Sequence, residues 1–100
     1  MFRWADYLIS GVMYDHSNNR IDLVHLHYDR GFQIDQPLIV KRDDLITEIK
    51  MGKKVITVFK RGERWNKGDS VKVIEINGEK YIRTDGNHIG EDNLGDIADI

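Results

Sequence analysis

Residues 59–68 read FKRGERWNKG: four cations and two aromatics in ten positions, with Glu63 the one acid among them. Lys60, Arg61, Arg64 and Lys67 are of the type that holds phosphates, and Trp65 can stack on a base or a nucleotide ring. A plainer reading uses the same residues structurally. Trp65 then folds over an open end of the domain, and the charges form a solvated loop. A third arrangement has the acidic chain end fold back onto this segment and neutralise it.

Other chemistry is sparser. His25 and His27 stand two apart in an alternating run, so both imidazoles point to one side, as a metal pair on a sheet requires. Nothing in the sequence brings a third ligand to that side, and half-buried sheet histidines are the better reading of the pair. The stretch YIRTDGNHIGEDNLGD (81–96) can be laid on a calcium loop with Asp85, Asn87, Gly90, Glu91, Asn93 and Asp96 at successive functional positions. Ile89 then occupies a ligand position without a side-chain oxygen, and aspartate replaces the closing glutamate. A polar turn region whose side chains cap their own backbone is the better reading, and no metal is expected. Ser10, Ser17, Ser70, Thr47, Thr57 and Thr84 lie in no nucleophile motif, and Gly62 and Gly68 lack the spacing of a phosphate loop. Asp6 with Asp85, or Glu91 with Asp92, could pair as acid and base, but no spacing brings them together. Enzymatic activity is unsupported, and no cofactor is expected.

Charge is segregated along the chain. Residues 50–67 carry seven basic side chains against one acid, a local +6 that leaves −8 for the rest of a chain of net charge −2. From Asp85 onward five acids meet no lysine or arginine, so the chain end is the acidic pole. There is no cysteine, hence no disulfide and no thiolate site, which suits a reducing compartment and predicts a cytoplasmic protein. The start, MFRWADYLISGVMYD, has an arginine and an aspartate within six residues and does not read as a signal peptide. No run approaches the length of a membrane span.

One hundred residues with 40% apolar content predict a single domain over residues 1–100. Residues 5–14 and 20–28 alternate like strands around the turn-forming DHSNN. Val24, Leu26 and Tyr28 share one face of the second run, and Ile21, Leu23, His25 and His27 the other. After a link containing Gly31, Pro37 opens a short run at 38–40 that fits an edge strand. Asp43 precedes an amphipathic helix over about residues 43–51, with Leu45, Ile46 and Ile49 on its docking side and Gly52 as its stop. Residues 55–59, 70–76 and 80–84 complete the strands, the last two joined by Asn77-Gly78, a type I′ hairpin signal. The expected fold is α+β and mainly β, with five or six short antiparallel strands in a sheet or small barrel and one short helix.

Several pieces occur together in a recognisable order: ADYLISGVMYD, IKMGKKVITV, GERWNKGDSVKV, then YIRTD followed by DNLG. In these the chain resembles an uncharacterised family of small bacterial and phage proteins. Where relatives close with a leucine-proline pair and an aromatic, this chain has Ile97-Ala98-Asp99-Ile100. The resemblance implies one small β-rich domain and supplies no activity. It draws attention to Trp65 and Gly68, and to Tyr81, Arg83, Thr84, Asp85, Asn87, Asp92, Asn93 and Gly95. Arg83 and Asp85 can form a buried ion pair that closes the core, or a polar ligand site.

Two functional expectations follow. In one, a non-enzymatic binding module presents Lys60, Arg61, Arg64, Trp65 and Lys67, with Arg83 and Asp85, to nucleic acid or a nucleotide. In the other, a protein-interaction module of phage or defence association uses an edge strand or the acidic end to bind a protein partner or a second copy.

Overall fold

The computed structural model describes residues 4–15, 17, 20–30, 36–86, 89–95 and 97–99. Gly31, His16, Asn18, Asn19, Asn87, His88, Asp96 and Ile100, which entered the expectations above, lie outside them. The two alternating runs are β1 (Tyr7–Asp15) and β2 (Arg20–Tyr28), paired antiparallel from Tyr7↔Tyr28 to Asp15↔Arg20. β3 (Leu38–Lys41) adds to the outer side of β2. The helix α1 (Arg42–Lys50) follows, and β4 (Val55–Arg61) returns beside β1. β5 (Arg64–Ser70) pairs with β4, giving the order β3-β2-β1-β4-β5. β6 (Lys72–Ile76) and β7 (Glu79–Arg83) form a separate hairpin, and β8 (Ala98–Asp99) pairs with β1.

Among the described residues the fold is mainly β with one helix, as expected, but its main sheet is mixed. The segment β3-α1 intervenes between β2 and β4 and reverses the chain, so β4 runs parallel to β1. β8 is also parallel to β1, and the main sheet is open between β3 and β5.

A second difference concerns residues 59–68, expected as a loop. They are the facing halves of β4 and β5, joined by Gly62-Glu63, with Gly62 at φ 61°. A two-residue turn with glycine at a positive φ matches strand twist, so the run continues as a hairpin despite its polarity. At the other hairpin the expectation holds, with Asn77 at φ 53° and Gly78 at φ 84°.

Apolar alternation places two cores on the sheet. Ile9, Val12, Val24, Leu26 and Val55 face α1 through Leu45 and Ile46, and Val71, Ile82 and Leu94 close that core. Each fully buried aliphatic contributes about 1.5–3 kcal/mol. On the opposite face Ala5, Leu8, Ile56 and Val58 lie beneath Trp4 and Trp65. Ile21 joins the helix-side core rather than the His25 face, because a bulge opposite Tyr14 shifts the register and turns its side chain over.

The helix begins one residue before the expected start. Lys41 holds the N-cap position without a side-chain cap, while Asp43 and Asp44 fall in the first turn, where their charge suits the dipole. At the far end Lys53 N donates to Glu48 O and Gly52 N to Ile49 O, with Gly52 at φ 96°. This is the left-handed glycine stop. Among the described residues no helix is long and apolar enough to cross a membrane.

Candidate functional site

β4 follows β1 only as far as Thr57, opposite Ile9. Beyond that point the edge of β1 belongs to β8, through Gly11↔Ala98 and Val12↔Asp99. The distal half of β4, with β5, therefore leaves the sheet as a two-stranded arm.

A bulge sets its direction. Ile56 faces Ser70 and Val58 faces Lys67, so Gly68 and Asp69 together oppose Thr57. The Thr57 hydroxyl accepts from Asp69 N at 3.0 Å. A Cβ on residue 68 would stand 2.3 Å from Thr57 Oγ1 and 2.7 Å from its carbonyl oxygen, so glycine is what lets the strands approach.

On the arm the register is Val58↔Lys67, Phe59↔Asn66, Lys60↔Trp65 and Arg61↔Arg64. Lys60, Arg61, Arg64 and Lys67 come together there. Lys60, Arg61, Arg64 and Lys67 are all exposed, Lys67 at the arm's base. Lys60 Nζ lies 5.3 Å from the Trp65 ring centre and Arg61 Cζ 5.7 Å from that of Phe59. Arg61 directly opposite Arg64 is an unfavourable like-charge pair in the free protein.

Trp65 plays both parts weighed above. It is half-buried against Ala5, Leu8, Ile56 and Val58, and meets the His27 ring edge-on at 5.8 Å, so it roots the arm. Its remaining face carries Lys60, so a stacking base would have to displace that ammonium.

Arg83 and Asp85 are brought together elsewhere, on the β6–β7 sheet and the turn after it. Arg83 is 2% exposed; its Nε donates to Asp85 Oδ1 at 2.7 Å, Nη2 to Asp85 Oδ2 at 3.0 Å and Nη1 to Glu91 O at 2.9 Å. The hydrogen bonds to Asp85 raise the Arg83 pKa above its ordinary value. These two residues satisfy one another.

Asp92, a second acid of the chain end, is engaged as well. The Asp92 carboxylate is wholly buried, accepting from Arg42, Ile21 N and Ile82 N. Asn93 Oδ1 accepts from Gly95 N, and Leu94 fills the core, so DNLG is a structural clasp. Among the described residues no carboxylate pairs with Lys60, Arg61, Arg64 or Lys67.

His25 and His27 do share a face, but His27 is buried and its Nε2 lies 2.6 Å from Ser10 Oγ. Among the described residues no three potential ligands gather around a metal position. A cleft of about 380 Å³ lies between the start of α1 and the β6–β7 turn. Its arginines are committed, Arg20 to Glu79 at 3.1 Å and Arg42 to Asp92 at 2.7 Å.

Sequence reasoning missed the roles of Asp92 and Arg42 and the Ser10–His27 contact. Asp92 had a signal in the DNLG piece on which the resemblance rests. The other contacts depend on a bulge at Ser10 and on the packing of α1, and neither leaves a local trace.

A family model described as "Protein of unknown function (DUF3892)" matches residues 9–97. No curated protein and no solved structure matches the chain.

Proposed function

The chain belongs to this family of unknown function, and from that premise we propose that it is a non-enzymatic binding module whose β4–β5 arm holds the phosphates of a nucleic acid. The observation carrying this reading is that, among the described residues, no carboxylate pairs with the cations of the arm. Four cations crowd a short ribbon, two of them face to face, while Asp85 and Asp92 of the chain end are engaged with Arg83, Arg42 and backbone amides. An anionic partner would relieve the Arg61–Arg64 repulsion and exchange counterions for protein cations.

A polymer fits better than a single nucleotide. Nucleotide sites are concave and bury most of the ligand, whereas these cations stand on both faces of a ribbon. Arg83 and Asp85 drop out of the ligand set, and Trp65 acts chiefly as the arm's root.

The test is anisotropy titration of labelled mixed-sequence oligonucleotides, with Trp65 emission followed in a Trp4→Phe background. Binding at low salt that weakens steeply as salt rises is the expected result. Absence of binding at low salt, or binding indifferent to salt, overturns the proposal.

A second reading rests on β3. It is the sheet's edge, and Ile39 is 70% and Leu38 46% exposed upon it. An exposed apolar edge strand is a template for strand addition by a protein partner or a second copy. Concentration-dependent sedimentation abolished by Ile39→Lys supports this reading, and a monomer that captures no protein removes it.

A further inference from the structure

Resting on the nucleic-acid reading above, we infer that the arm's target is duplex DNA, entered tip-first through the major groove. The four cations do not share one side. Directly paired residues lie on the same face and chain neighbours alternate, so Lys60 and Lys67 lie on the Trp65 face. Arg61 and Arg64 lie on the Phe59 face, where Arg61 covers that ring. A single strand draped over a sheet meets one face and leaves the cations of the other out of reach. A groove has two phosphate walls, one for each face.

The dimensions agree. A two-stranded ribbon with its side chains is about as thick as the ~10 Å spacing of packed sheets, and the B-form major groove is ~12 Å wide and ~8.5 Å deep. From the pair Phe59↔Asn66 to the turn the ribbon extends three pairs, and at ~3.4 Å for each residue step this is roughly the groove's depth. The B-form minor groove, ~6 Å wide, is too narrow for it. In A-form RNA the major groove is deep and narrow, and side chains cannot reach its floor.

This pose also accounts for the one acid on the arm. Glu63 sits at the tip, beside Gly62, where a carboxylate would meet a phosphate unfavourably in any sideways docking. At the groove floor it faces base edges, and the exocyclic amino group of cytosine donates to a carboxylate. The bulge at Gly68 and the packing of Trp65 hold the ribbon in one direction, so insertion needs no reordering of the arm.

The experiment compares a B-form DNA duplex, each of its single strands and an RNA duplex of the same sequence, by anisotropy over a salt series. The wild-type chain is compared with Lys60→Ala/Lys67→Ala and Arg61→Ala/Arg64→Ala, each checked by circular dichroism. The expected result is preference for the DNA duplex, with each double variant lowering the log–log salt slope by ~2. Equal or tighter binding of single strands or RNA duplex, or dependence on only one of the two faces, overturns groove entry and leaves the nucleic-acid reading standing. Failure to bind any of the four probes defeats both. The wild-type preference among probes needs no variant, so misfolding of a substituted arm does not obscure the answer.

Discussion

Arg42, at the first position of α1, donates from Nε to Asp92 Oδ2 at 2.7 Å and from Nη2 to Oδ1 at 3.1 Å, and the Asp92 side chain is wholly removed from water. The same carboxylate accepts from Ile21 N and Ile82 N, and Arg42 also donates to Lys80 O. One acid thus joins the start of β2, the strand β7 and the helix. A pair in this position stabilises mainly because breaking it strands a charge and two amides.

Asp92→Ala is therefore expected to cost about 3–5 kcal/mol, a large part of the stability of a domain this size. Arg42→Ala should cost less, since the two amides keep their acceptor. Urea unfolding of both variants checks the order, and equal or reversed costs would show that the carboxylate is not the centre of this contact. Charge reversal at Asp92 is therefore expected to destabilise the fold strongly, which makes it a poor probe of a partner surface.

Gly68→Ala should destabilise by about 1–3 kcal/mol, because the new methyl meets the Thr57 hydroxyl and carbonyl oxygens. Adding Thr57→Ala removes only the hydroxyl contact, so it restores only part of the loss. Full rescue in chemical denaturation would mean that the backbone contact at 2.7 Å is relieved more easily than this geometry requires.

Alkaline stability should depend on Tyr7. Burial raises its phenol above the ordinary pKa, and the neighbouring Glu48 carboxylate, accepting from the hydroxyl at 3.3 Å, adds to the shift. The unfolded chain then loses this proton first, near pH 10, so the native state binds more protons and stability falls as pH rises from there through the folded pKa. Below pH 10 the contribution is fully present. Tyr7→Phe should flatten the decline in melting temperature across that range, and an unchanged slope would assign it to other groups.

On the arm, single substitutions Arg61→Ala and Arg64→Ala should each reduce the salt slope of nucleic-acid binding by about one, with little effect on fold stability because both side chains are exposed. Removing either should relieve the like-charge pair. Thermal melts should therefore rise slightly or stay level while affinity falls, and a parallel loss of both would point to a structural role instead.

Much of this architecture was legible locally. The alternation of β1 and β2, the amphipathic α1 with its glycine stop, and Asn77-Gly78 each carry their instruction within a few residues. The arm was hidden because its strands are polar; they are held by a turn glycine and a bulge rather than by an apolar alternation. Among candidate site residues, the grouping of Lys60, Arg61, Arg64, Trp65 and Lys67 was visible, since hairpin neighbours are also near in sequence.

By itself the sequence determined the class of the fold, the segregation of charge and the short-range pairings, because periodicity, turn chemistry and propensity act over a handful of residues. Only the tertiary structure decided which charges are free. Asp92 and Arg42 are fifty residues apart, Arg83 reaches back to Glu91 O, and β8 takes the edge of β1 that would otherwise hold the arm down. Whether a carboxylate neutralises a cation falls off with distance in space, and that distance is set by the packing of the whole chain.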